Sequence, residues 1–257
     1  MTPPSSSMSL ITYPLRPATI STRPNVIGDG ITIRQVSYDH GDVSVLRNAS
    51  LDVPRGGTCV IRGANGCGKS TLMFVCAGLV KVQRGSVHLA GHRADPDRPG
   101  ETFRKGARCG FVFQEGGLIS NMNVLANVAI ALRYHADILG IDVREVERRA
   151  LAALERVNIK SEDYYTLPSH LSFGVRRRLA LARAIALEPN FFFFDDPDVG
   201  LDPDTAALVH EILCGYREDP NVTTMVATNR DILIERLSVP TYTLESGQLS
   251  EYHPVVA

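Results

Sequence analysis

The chain has 257 residues, with 27 Lys or Arg against 28 Asp or Glu, so its net charge is −1. Hydrophobic residues make up 44%, enough for a sizeable core in one large domain or two small ones, and wholesale disorder is excluded. The charge balance excludes a nucleic-acid binder held by bulk positive charge. No apolar run reaches the ~18–20 residues of a membrane span, the longest candidates being Val124–Leu132 and Leu179–Leu187.

Residues 1–29 are rich in Pro, Ser and Thr and are expected to form a disordered tail outside the folded domain, residues 30–257. No basic stretch leads into an apolar core there, so no signal peptide is expected. From Ile31 the pattern alternates. Ile31 and Ile33, Val43–Leu46 and Ala49–Val53 predict antiparallel strands with one wet face. Thr58–Arg62 predicts a short buried strand, Lys69–Leu79 a helix, Val87–Ala94 a hairpin, Asp95–Gly100 a loop and Phe111–Phe113 a strand. A helical region follows from about Asn123 to Leu187, with a capping box at Asp142 and Glu145. Phe191–Phe194 and Val222–Ala227 predict strands buried on both faces. Asp202 caps a helix with Pro203 at its first position, and Thr241–Leu249 predicts a final hairpin.

Strands alternating with helices imply an α/β fold with a mostly parallel core sheet. The early strands add an N-terminal antiparallel β subdomain, and residues 115–187 an inserted α-helical subdomain. Five cysteines at irregular spacing, with no Cys-x-x-Cys, predict reduced thiols in a cytoplasm and neither a disulfide framework nor a zinc site.

The segment Gly63-Ala64-Asn65-Gly66-Cys67-Gly68-Lys69-Ser70-Thr71 fits the phosphate-binding loop pattern in full, after a strand and before a helix. Its glycines let main-chain N–H groups converge on anionic oxygens, and the helix N-terminus adds partial positive charge. Lys69 is expected to reach the β- and γ-phosphates of a nucleotide and the Ser70 hydroxyl to ligate Mg²⁺.

Beyond this loop come Gln114 after a strand, Leu171-Ser172-Phe173-Gly174-Val175, Asp195-Asp196-Pro197, Gly200-Leu201-Asp202-Pro203, and Thr228-Asn229-Arg230. In that order and spacing they resemble the ATP-binding-cassette (ABC) ATPases, P-loop NTPases, over residues 31–250. Phe113-Gln114-Glu115-Gly116-Gly117-Leu118 and Asn121-Met122-Asn123-Val124, with Asn127-Val128, resemble the Mla-type ATPases that energise phospholipid transport and organic-solvent resistance.

The resemblance implies ATP and Mg²⁺ as cofactors. It implies a homodimer or a heterodimer with another ABC ATPase, a separate membrane permease and a substrate-binding MCE protein as partners, and no nucleic acid. It places the chain in the cytoplasm, peripheral on the inner face of the cell membrane. Gln114 would touch Mg²⁺ and the attacking water, and Asp195 would hold Mg²⁺ through water. Ser172, Phe173 and Gly174 form the signature that closes over the partner's ATP, and Asp202 links the two sites. His40, with Tyr38 as second candidate, stands where an aromatic ring stacks on adenine.

Three positions depart from the pattern. Asp196 replaces the catalytic Glu and is one methylene shorter, whereas a general base must lie within about 2.6–3.2 Å of its proton or act through one water. Asn229 replaces the switch histidine and can neither carry positive charge nor relay a proton. Phe173 replaces a first glycine, where a ring is expected to distort the loop or crowd the interface. The expected protein is therefore an ABC transporter ATP-binding subunit with reduced hydrolysis; the alternative is a regulatory or scaffold subunit paired with a more complete ATPase. Arg176-Arg177-Arg178 is expected to form a solvated or interface face.

Overall fold

A computed structural model describes residues 29–252. Residues 1–28 of the tail expected over 1–29, and residues 253–257, lie outside the described residues.

The first layer is a four-stranded antiparallel sheet in the order β2-β1-β4-β5: β1 (Ile31–His40), β2 (Val43–Val53), β4 (Arg84–Leu89) and β5 (His92–Arg93). The second is a six-stranded sheet in the order β10-β9-β3-β8-β7-β6. It is built from β3 (Thr58–Arg62), β6 (Cys109–Val112), β7 (Phe191–Asp195), β8 (Thr223–Ala227), β9 (Thr241–Glu245) and β10 (Gln248–Glu251). All neighbours in it run parallel except β9 and β10.

The phenylalanine run in β7 shows how the sheet is held. Successive strand residues point to opposite faces. Phe191 and Phe193 therefore join Cys59, Ile61, Met225 and Ala227 against helix α1 (Lys69–Cys76) and the antiparallel layer. Phe192 and Phe194 join Val60, Val112 and Val226 on the other face. That face is covered by α3 (Val124–Tyr134), α5 (Val143–Arg156), α6 (Phe173–Ala186) and α7 (Pro203–Glu218). Each fully buried Phe contributes ~1.5–3 kcal/mol by area removed from water. A strand apolar on both faces fits only the interior of such a three-layer stack.

Helix ends follow local chemistry. Asn123, Asp142, Ser172 and Asp202 each cap a helix, with the side chain accepting from a main-chain N–H three residues on. The Glu145 carboxylate, expected to complete a box with Asp142, goes instead to Arg148 and Arg149 at 2.7 Å. Helix α1 stops at Cys76, short of Leu79. Gly78 takes φ +68 there, Leu79 N–H donates to Phe74 O at 2.8 Å, and Gly78 N–H donates to Val75 O at 3.0 Å. This paired closure needs a left-handed residue just past the helix. The segment expected as a loop at Asp95–Gly100 runs into a short helix, α2 (Pro99–Arg104), since a proline suits a first helical position. The four-residue α4 (Ala136–Leu139) joins α3 to α5, and α8 (Asp231–Leu237) lies between β8 and β9. Among the described residues no helix is long and apolar enough to cross a membrane, and all five cysteines are free.

Candidate active site

The four parallel strands β3, β6, β7 and β8 deliver their motifs at the carboxyl end, where open α/β sheets bind ligands. Gly63–Thr71 follows β3, Gln114 follows β6, Asp195 ends β7 with Asp196 next, and Thr228-Asn229-Arg230 follows β8. Parallel register aligns these ends: Asp195 pairs with Ala227, and Ile61 pairs with Ala227 from the other side.

The phosphate loop is a curl of main chain. Gly66 and Gly68 have φ of +79 and +106, and a Cβ on Gly63 would stand 2.4 Å from Leu244 O and 2.7 Å from Cys67 Sγ. Only glycine fits there. Lys69 folds back over the loop, its Nζ donating to Gly63 O at 2.8 Å and Ala64 O at 3.2 Å. Strand β2 abuts the loop, with Val45 against Gly68. Of the two adenine-stacking candidates in β1, His40 is exposed at the strand end opposite Val43. Tyr38, opposite Leu46, is half-buried against the antiparallel layer's core.

The acidic pair lies beside this loop. Asp195 is buried beside Ser70 and Lys69, while its Oδ1 has no protein partner. Burial pushes its carboxyl above the usual range, and the neighbouring Asp196 adds to this. Asp196 is half-buried and also raised, by burial first and by Asp198 next. Its main chain is left-handed, φ +42, an uncommon conformation for a non-glycine residue. Asn229 faces the loop directly: Gly63 N–H donates to its Oδ1 at 2.9 Å, leaving the amide nitrogen as a donor.

Two expectations are corrected. Of the two effects expected of Phe173, distortion of the signature loop is the one the backbone excludes. Phe173 is the first residue of α6 with an ordinary negative φ, and its half-exposed ring lies over the turn at Gly200. Gly174 is the close-approach position: a Cβ there would stand 3.0 Å from Asp202 Oδ2 and 3.1 Å from Thr205 Oγ1. Nor is Arg176-Arg177-Arg178 a solvated face. Arg176 donates to Leu171 O at 2.8 Å and Arg178 to Asn158 O at 2.7 Å. Arg177 is buried, donating to main-chain carbonyls at Phe113 and Asp196 at 2.8 Å and also at Gln114. The exposed Gln114 lies on that anchored strand end.

Sequence reasoning also missed a buried acid–base pair. Asp198, 1% exposed, shares a hydrogen bond with His210 Nε2 of α7 at 2.7 Å, and Arg230 Nε lies 3.3 Å away. Arg230 follows Asn229, so this pair braces the loop after β8. The only sequence signal was a third aspartate, after Asp195 and Asp196, just past an interior strand. Asn127, fully buried in α3, spends its amide on Ile119 N–H and on the carbonyls of Ile119, Met122 and Asn123. Those bonds shape the Asn121–Val124 segment.

A three-layer fold with a complete phosphate loop and these strand-end motifs defines an ATP-binding cassette of the P-loop NTPase class. The ABC transporter family matches residues 46–199, more than half of the chain. The chain belongs to that family and is an ABC ATPase, the ATP-binding subunit of a transporter. It is 33% identical over 199 residues to the intermembrane phospholipid transport system ATP-binding protein MlaF of Escherichia coli (strain K12), covering 77% of this chain and 72% of that protein. It is 30% identical over 226 residues to the glutamate/aspartate import ATP-binding protein GltL of the same strain, covering 87% and 90%. The post-hydrolysis dimer of the ATP-binding cassette MJ0796 bound to ADP and Pi superposes with a TM-score of 0.77 at 26% identity, covering 87% of this chain and 99% of that one.

Proposed function

We propose that this subunit binds Mg-ATP at a dimer interface, drives a separate membrane permease, and moves phospholipid or a related hydrophobic lipid with slow ATP turnover. The observation that carries the reading is the convergence of Gly63–Thr71, Gln114, Asp195, Asp196 and Asn229 on one sheet edge. Main-chain N–H groups of the loop and Lys69 bind the phosphates. The unpartnered Oδ1 of buried Asp195, beside Ser70, fits a hard divalent cation, and Gln114 completes that set. Bound Mg²⁺ would neutralise charge on the transferring phosphate. Asp196 takes the proton of the attacking water, and its short side chain limits the rate. Asn229, fixed by Gly63, offers the γ-phosphate a neutral donor. Ser172, Phe173 and Gly174 face the partner's nucleotide, with Asp202 behind them against Gly174.

The lipid cargo and an MCE substrate-binding partner rest on likeness to MlaF, the ATP-binding protein of an intermembrane phospholipid transport system. Placement on the inner membrane face rests on the permease partner that the reading requires. The dimer draws support from the MJ0796 cassette, which is dimeric in its ADP- and Pi-bound structure. A single-turnover assay compares the wild type with Asp196→Glu/Asn229→His. A gain of at least about tenfold is expected, a fraction of the ~10²–10⁴-fold a well-placed base supplies; equal rates would remove slow turnover from the reading. Purifying the tagged chain from its own membranes decides the partners. A permease with two copies supports the reading, one copy beside a different ATPase makes it the regulatory half, and no membrane protein refutes it.

A further inference from the structure

Arginine is the residue by which helix α6 holds the catalytic loops. Arg177 is 4% exposed and makes no ion pair among the described residues. Its Nη1 donates to Phe113 O at 2.8 Å and to Gln114 O, and its Nη2 donates to Asp196 O at 2.8 Å. One planar fork thus spans the main chain after β6 and the main chain after β7. Nearly two turns further along α6, Arg183 donates to Gly116 O at 3.0 Å and Gly117 O at 2.7 Å, holding the rest of the Gln114 loop. Asp196 is pinned from both sides, because its N–H donates to Ala227 O of β8 at 2.9 Å. The strained φ of +42 at Asp196 is the kind of conformation that persists only when its surroundings fix it. Burial of a cation is costly, and three aspartates, Asp196, Asp195 and Asp198, favour its charge from nearby.

We propose that Arg177 is a positioning residue of the ATPase: its guanidinium fixes Gln114 and Asp196 to each other and to α6, so that they move with the signature helix as one unit. The inference rests on the reading that Gln114 and Asp196 act on ATP. It adds a route by which Ser172, at the α6 N-terminus, reaches the chain's own base. When the signature seats on a partner's nucleotide, a shift of α6 carries Asp196 with it through the Nη2 hydrogen bond, and the Gln114 strand end through the two from Nη1. Lysine has three donors on one nitrogen and cannot span both loops as a fork does.

The test uses the full-length chain with Arg177→Met, which keeps length without donors, and Arg177→Lys, which keeps charge. Hydrogen–deuterium exchange without nucleotide comes first. Faster exchange at 114–118 and 196–199 in the Met variant, with 143–157 unchanged, is the expected result. Unchanged exchange at both loops overturns the proposal, and so does faster exchange throughout the helical subdomain. Single-turnover hydrolysis at saturating Mg-ATP follows. The expected loss is on the order of 10–100-fold in rate for Arg177→Met, the scale of a 1 Å misplacement, with ATP affinity within about threefold. Arg177→Lys should recover part of it. A wild-type rate in the Met variant, or equal losses of rate, affinity and melting temperature in both variants, overturns the proposal. A wild type that binds no ATP refutes the functional reading alone, because the exchange experiment still decides whether Arg177 joins the loops.

Discussion

The two halves of the site are built from different material. On the β3 side, phosphate contacts come from one continuous segment, Gly63–Thr71, whose shape is main-chain geometry plus one lysine. On the β6–β7–β8 side, Gln114, Asp196 and Asn229 stand on three strands, and Arg177, Arg183, Asp198 and Arg230 hold them in place. The first half is local in sequence, touched from outside by Val45, Leu244 and Asn229. The second is a network of buried charge and carbonyls, sensitive to any member.

The contrast is tested hardest at Lys69. Lys69→Ala should abolish measurable hydrolysis, a loss on the order of 10²–10³-fold or more, and weaken ATP binding in titration calorimetry, with the melting temperature little changed. A protein that keeps its affinity would move the phosphate site elsewhere. Asp198→Ala probes the other half. It strands His210 in the interior and leaves Arg230 unbraced, so it should cost on the order of 3 kcal/mol and lower the melting temperature by roughly 6–10 °C without nucleotide. An unchanged melting curve would mean that the network is ornamental to stability.

Asp202→Ala removes a cap whose carboxyl is held below the usual range by its hydrogen bonds with Thr205. A small loss of stability should follow, read by chemical denaturation, and Gly174 loses its neighbour. The smallest effect lies in pH. The Arg148 and Arg149 guanidiniums hold Glu145 down at about 2. A folded value below the unfolded one stabilises above the unfolded value, and that contribution disappears as pH falls from about 4.5 toward 2. Glu145→Gln should flatten the acid limb of a melting-temperature profile slightly, as befits ion pairs near the surface.

The order of elements was legible because it is written in local terms. Phe191–Phe194 could only be an interior strand, and Asp202-Pro203 could only open a helix. The phosphate loop was legible for the same reason, its conformation being set by its own glycines. Arg176-Arg177-Arg178 reads as a solvated or interface face, since sequence carries charge but not the direction in which each side chain points along a helix. Helix α6 packs behind β6 and β7, and only that packing turns Arg177 inward, onto carbonyls more than sixty residues away in sequence. The same holds for Asp198 and His210, twelve positions apart, which meet because α7 folds back over the turn that follows β7. Local residue patterns were enough to say which strands end in which motif, and hence that a nucleotide site forms at their carboxyl edge. What holds that site in register came from the packing of distant elements, because buried charge must find its partners wherever the chain brings them.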